Sequence, residues 1–209
     1  MRTRKPADRR RAEILEAALD LADERGPDRL TTGAIARAVG LTQAGIFRHF
    51  PTKQAIWEAV VAKIAEAMVA GWSDALGRHD RPLARLRGLV ESQLRLIQST
   101  SAIPAILFSR ELHVENDLLR KALLELMGQF QATLRAEVTE AQDEGMLRPE
   151  PDPADVAILL IGLVQGLALR WSLSGRTFSL TEEGARLLDL QLHLLAVPQV
   201  DPAERARLA

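Results

Sequence analysis

Apolar residues return at three- and four-residue intervals along most of this chain, and no stretch alternates with the period of two that a half-buried strand requires. The pattern predicts an all-α protein. Ile14, Leu15, Ala18, Leu19 and Ala22 mark a first helix, and Gly26-Pro27 closes it with a cap and a stop. Three helix starts then follow in close succession: Leu30-Thr31 before Ile35, Leu41-Thr42 before Ile46, and Pro51-Thr52 before Ile56. In each, the threonine hydroxyl can accept an early backbone N–H while the residue before it staples onto the apolar residue of the first turns. Short helices are therefore predicted near 31–38 and 43–49, joined by Val39-Gly40-Leu41, where Gly40 permits a positive φ. Two short helices around a tight glycine-containing turn, behind a longer first helix, make a helix-turn-helix unit over residues 1–52.

The third of these helices, in LTQAGIFRHFPTKQAI, is too short to hold itself together, and Gly45 costs its interior about 1 kcal/mol relative to alanine. Its design serves something other than its own stability. Ile46 and Phe50 are four residues apart and face the core, which leaves Gln43, Ala44, Phe47 and Arg48 on the other side. A phenylalanine beside glutamine and arginine suits a groove better than open solvent. Gly45 and Ala44 keep the helix narrow for close approach, or Gly45 relieves crowding against the second helix, or it does both.

The stretch LTTGAIARAVGLTQAGIFRHFPTKQAIWEAVV, with its caps, turn, aromatic pair and trailing lysine in order, resembles the DNA-binding segment of the tetracycline-repressor (TetR) family of bacterial transcriptional regulators. The resemblance covers residues 10–60. It implies a homodimer whose paired recognition helices enter successive major grooves of a near-palindromic operator, with a small ligand in the C-terminal domain moving those heads apart. On that resemblance Gln43, Ala44, Gly45 and Arg48 are base-edge or groove-floor residues, and Thr31, Thr32, His49 and Lys53 are phosphate clamps. Two positions depart from the family pattern. Phe47 stands where tyrosine is usual, which removes a hydroxyl contact to phosphate and leaves a ring able to meet a thymine methyl. Gly33 occupies a position where a polar side chain sometimes reads a base.

Beyond residue 52 the helices lengthen into a second unit, 53–209, expected to bind ligand and dimerise. A connecting helix is predicted over 53–76, ending at Gly77; Pro82 opens another with Leu83, Leu86, Val90, Leu94 and Ile97 in a stripe. Pro104 is expected to break the chain, and residues 118–145 show the clearest amphipathic face through Leu119, Leu123, Phe130, Leu134 and Val138. PEPDP, 149–153, is a short rigid connector. The run 156–169 is apolar all round, and its Gly162 and Gly166 can admit a close helix crossing. With a final helix over 182–197, it forms the expected dimer interface: Gly162, Gly166, Leu187, Leu188, Gln191, Leu194 and Leu195. The apolar run itself falls short of a membrane span.

Net charge is only −1 over 209 residues, but its distribution is two-ended. Residues 1–54 hold eleven lysines and arginines against seven carboxylates, with Arg2, Arg4, Lys5, Arg9, Arg10 and Arg11 forming a basic arm. Such an arm is an electrostatic footprint for phosphate, and equally the composition of a solvated tail. The charged N-terminus lacks the apolar core of a secretory signal, and cysteine is absent, so a cytoplasmic protein without disulfides or thiolate chemistry is expected.

No phosphate-binding glycine loop or dinucleotide fingerprint occurs, and neither a cofactor nor an enzymatic activity is expected. Glu111, His113 and Glu115 resemble metal ligands in sequence only, because on a helix His113 points away from the two glutamates. Ser109 and His113, four apart, imitate a nucleophile and base without a third group. The inward stripes nominate Met68, Trp72, Leu94, Ile97, Phe108, His113, Met127, Phe130, Gln131, Leu134, Gln165 and Trp171 for a pocket. Their mixture of aromatics, methionines and amides fits a mostly apolar small effector with one or two hydrogen-bonding groups. The function so expected is a dimeric, ligand-released repressor on double-stranded operator DNA. The alternatives are a ligand-independent nucleoid or cell-division factor of the same fold, and an enzyme carrying a DNA-binding head.

Overall fold

A computed structural model describes residues 6–198, so Arg2, Arg4 and Lys5 of the basic arm lie outside the described residues. Within them the chain forms ten helices: α1 (Ala7–Arg25), α2 (Thr32–Ala38), α3 (Gln43–Phe47), α4 (Lys53–Arg78), α5 (Pro82–Ser99), α6 (Ala102–Leu107), α7 (Arg110–Glu115), α8 (Asp117–Asp143), α9 (Pro153–Leu173) and α10 (Leu180–Leu195). The only β pairing among them is a single antiparallel bridge, Leu147 to Ala196, that ties the end of α8 to the end of α10.

The threonine device works as the pattern requires. Thr31, Thr42 and Thr52 accept the backbone N–H of Ala34, Gly45 and Ala55 at 3.1, 3.1 and 3.0 Å. Gly26 and Gly40 take positive φ, 81° and 64°, at the ends of α1 and α2. Several boundaries differ from the sequence expectation for local reasons. Gly77 lies inside α4, which runs on to Arg78. Pro104 does not break the chain but sits in the first turn of α6, where a missing N–H costs no helical bond. Pro153 belongs to α9 at its first position, behind an Asp152 cap, and α10 starts two residues early because Ser179 caps it.

Ile14, Ala18, Ile35, Ile46 and Phe50 are buried in the head formed by α1, α2 and α3, and α4 adds Ile56, Trp57 and Val60. α4 then packs along α5 and α8, while α9 and α10 close the body against α5 and α8. Arg85 of α5 is largely buried and bridges to α8, donating to Glu140 and, at 2.5 Å, to Glu137. These hydrogen bonds raise the guanidinium pKa above its ordinary value. Head and body are joined by α1 against α6 and by polar links. Ser109 Oγ donates to Asp28, Asn116 Nδ2 to Glu58 at 3.5 Å, and Arg176 grips Asp23 through both guanidinium nitrogens. Arg176 does so from a left-handed backbone, φ 65°, right after Gly175.

By length and composition α9 is apolar enough to cross a membrane, against the expectation from its central run, because the helix extends to Pro153 and Leu173. Within the protomer, Gly162 and Gly166 make no close helix crossing, and Gly184 does. A Cβ at either of the first two glycines meets nothing within 4 Å, whereas one at Gly184 would collide with Leu94 Cδ1, where α10 crosses α5. Gly184→Ala is therefore expected to destabilise the fold by about 1–3 kcal/mol through overpacking. Chemical denaturation of the variant beside wild type measures it, and an unchanged midpoint would refute the close crossing.

Candidate nucleic-acid interface and internal cavity

α3 has five residues, one cap and one buried anchor of its own, Ile46. The sequence just after it supplies Phe50, buried beneath the guanidinium of Arg11 at 4.2 Å from the ring centroid. Arg11 also donates to the His49 carbonyl at 2.5 Å. Arg10 donates to Glu13 at 2.8 Å and to the Val39 carbonyl at 3.4 Å, and Arg9 pairs with Glu13 at 3.7 Å. Three arginines expected in a free arm thus belong to α1, and two of them brace the helix-turn-helix.

With Ile46 inward, Gln43, Ala44, Phe47 and Arg48 lie exposed on one side of α3, Phe47 at 42%. Thr31 is exposed, and His49 and Lys53 are half-buried at the flank. Thr32 is buried, and its hydroxyl accepts Gln43 Nε2 at 2.7 Å, so it does not face outward as a phosphate clamp would. Gly45 is not relieving pressure from α2. A Cβ there would make ordinary contacts of 3.4–3.7 Å, all to Thr42 and Leu41.

A second feature lies inside the body. A cavity of about 70 Å³ opens between α4, α5, α6, α8 and α9. Met68, Trp72, Ile97, Met127, Phe130 and Gln165 line it as the stripes predict. Leu94, Phe108, His113, Gln131, Leu134 and Trp171 do not. Leu94 packs under Gly184, Leu134 is core, Phe108 is exposed, His113 and Gln131 are half-buried elsewhere, and Trp171 donates to the Phe178 carbonyl at 3.0 Å. Ser109 is occupied too: it caps α7 and holds Asp28, so it forms no nucleophile with His113. Sequence reasoning missed Gln93, which is 8% exposed and accepts the Trp72 indole N–H at 3.1 Å. Its signal was available, since it falls between Val90 and Ile97 on the same face of α5. Trp72 and Phe130 stack at 4.9 Å, 17° from parallel.

α9 and α10 carry a third feature. Gly162, Gly166 and Leu194 are exposed, and Leu187, Gln191 and Leu195 half-buried, but Leu188 is 1% exposed and belongs to the chain's own core. Around the two glycines stand Ile158, Leu159, Leu169 and Leu173, with Leu190 on α10, all exposed. An all-round apolar helix hides which of its faces the chain itself covers. The periodicity alone therefore did not identify them.

Residues 14–60 match the family described as bacterial regulatory proteins, tetR family, and residues 82–182 match the tetracyclin repressor-like C-terminal domain. The nucleoid occlusion factor SlmA of Vibrio atlanticus (strain LGP32) is 30% identical over 175 residues, 83% of this chain and 89% of that protein. Among solved structures, the ketosteroid transcriptional regulator KstR2 of Mycobacterium tuberculosis superposes with a TM-score of 0.78 at 21% identity, covering 90% of this chain and 96% of that one. The transcriptional regulator FadR from Bacillus subtilis, in complex with stearoyl-CoA, gives 0.73 at 17% identity, covering 87% and 97%. At these identities the two structures speak to the fold.

The Gln93–Trp72 pair is measurable on its own. Gln93→Leu strands a buried indole N–H and is expected to cost about 1–3 kcal/mol. Adding Trp72→Phe removes the stranded donor and should recover part of that loss in a double-mutant cycle read by urea denaturation; strict additivity would show the bond contributes nothing.

Proposed function

The chain belongs to the tetR family of bacterial regulatory proteins, DNA-binding regulators, and from that premise we propose that it is a dimeric repressor released from a palindromic operator by a small, mostly apolar effector. One observation carries the effector half of this reading. α4 begins at Lys53, directly behind the exposed face of α3, and the same uninterrupted helix brings Val61, Ile64, Met68 and Trp72 to the cavity. A ligand that wedges α4 from α5 or α8 moves the start of that helix, and with it the spacing of two heads in a dimer. α6 reinforces the link, lining the cavity with Ile103 and Ile106 while packing on α1. The effector then weakens DNA binding by a coupling of about 1–3 kcal/mol, and DNA weakens effector binding equally.

On the DNA side, Arg48 offers a bidentate fork to a guanine edge, Gln43 and Ala44 meet the groove floor, Phe47 packs on a thymine methyl, and Gly45 allows close approach. Thr31, His49 and Lys53 hold phosphate. Thr32 acts through Gln43, as the strut that orients it. Dimerisation uses the uncovered α9–α10 face, where Gly162 and Gly166 let a second copy of α9 approach closely.

The relatives named nucleoid occlusion factors favour the second reading, a DNA-binding factor that needs no effector. Operator affinity measured with and without a cavity-filling ligand separates the two: a ligand that binds tightly yet leaves DNA affinity unchanged supports the second reading and removes the first.

Two further outcomes are expected. Binding-site selection at two salt concentrations should show Arg48→Ala losing about 1–3 kcal/mol and relaxing one or two base positions per half-site, whereas Lys53→Ala weakens all sequences alike and lowers the salt slope by roughly one unit per contact. An unaltered base pattern in Arg48→Ala would move the reading role to Gln43 and DNA shape. Sedimentation should give a particle of twice the 23.0 kDa chain, and Gly162→Leu or Gly166→Leu should shift it toward monomer without lowering the stability of the protomer. A wild-type monomer at high concentration would sink the palindromic operator with the dimer.

A further inference from the structure

The chemistry of the cavity narrows what the effector is, an inference that rests on the effector reading above. Among the described residues that line the cavity, none has an ionisable side chain. An ionised carboxylate, phosphate or ammonium placed there would lose its hydration with no counter-charge to replace it. The polar atoms come from Gln93, Gln165, the Trp72 indole and the thioethers of Met68 and Met127.

Both amides point their NH2 groups at methionine sulfurs. An indole N–H is a donor only, so its bond to Gln93 Oε1 fixes which end of that amide faces Trp72. The NH2 is turned the other way, where its partner is the Met68 sulfur at 3.5 Å. Gln165 likewise turns Nε2 toward a methionine sulfur, that of Met127, at a looser 4.0 Å. A thioether is a weak acceptor, so both amides hold donor capacity that an oxygen would satisfy better. The sulfurs sit on flexible, unbranched side chains that can withdraw.

We propose that the effector is an uncharged, mostly apolar molecule bearing one or two carbonyl-type oxygens, and that these oxygens displace the Met68 and Met127 sulfurs as acceptors for the amides of Gln93 and Gln165. The apolar body lies against the stacked faces of Trp72 and Phe130. Withdrawal of the two methionines enlarges the cavity of about 70 Å³ to receive it.

The test uses the full-length protein and four nine-carbon probes, 2-nonanone, nonane, nonanoate at pH 8 and nonylamine at pH 7, with tryptophan fluorescence and melting temperature as readouts. Nonanoate and nonylamine are expected to bind at least about tenfold more weakly than 2-nonanone. In Gln165→Leu the ketone should lose about tenfold in affinity while nonane loses nothing, because the carbonyl loses one of its two amide donors. Gln93→Leu should repeat this result, and Gln165→Leu, which strands no indole, carries the test if Gln93→Leu folds poorly. Tighter binding of either charged probe, ketone affinity unchanged in Gln165→Leu, or no binding by any probe overturns the proposal. Operator affinity in the same samples keeps the two readings apart. Nonanoate that binds best and releases DNA defeats the carbonyl assignment and leaves the effector reading standing; a glutamine-dependent ketone that leaves DNA binding unchanged does the reverse.

Discussion

The length and continuity of α4 is the constraint on which the rest of this molecule depends. A five-residue α3 cannot persist alone, since nucleating a helix costs more than so few hydrogen bonds return. It is held because Ile46 and Phe50 enter a core that α4 completes with Ile56 and Trp57. The same 26-residue helix then forms a wall of the body, so the head is ordered by an element whose far end answers to a different environment. A break at Gly77 would have changed little, but a break ahead of Val61 would have cut the head from the cavity.

Around that one stiff connection, the remaining ties between head and body are the packing of α6 on α1 and a set of polar links. Arg176–Asp23, Ser109–Asp28, Asn116–Glu58 and Lys63–Glu16 each involve at least one exposed or half-exposed partner. The two exposed ion pairs among them, Arg176–Asp23 and Lys63–Glu16, contribute about 0–1 kcal/mol each. By contrast Arg85 and Glu137 clamp α5 to α8 from largely buried positions, with the exposed Glu140 as a second acceptor, which holds the body together.

α9 serves two surfaces at once. Ile161, Val164, Gln165 and Ala168 face the cavity, while Leu159, Gly162, Gly166, Leu169 and Leu173 face outward. Whatever covers the outer face therefore packs one helix diameter from whatever fills the inner one.

The sequence by itself determined most of the local structure. The period of its apolar residues, the threonines before Ile35, Ile46 and Ile56, and the glycines at 26 and 40 specify helices, starts and turns through contacts within a few residues, which need no knowledge of the fold. The exposed face of α3 was equally legible, because burying Ile46 and Phe50 leaves only one side for Gln43, Ala44, Phe47 and Arg48. Tertiary structure decided everything that depends on which stripe meets which. Leu94 and Leu134 carry the same apolar pattern as Ile97 and Phe130, yet only the second pair borders the cavity. Leu188 looks like Leu187 in sequence and lies in the protomer's core. Thr32 is indistinguishable from Thr31 until Gln43 reaches it, and Arg11 reads as a loose cation until Phe50 lies beneath it. Hydrophobicity carries no direction, so the chain can state that a residue is to be buried without stating against what, and only the packed helices supply that.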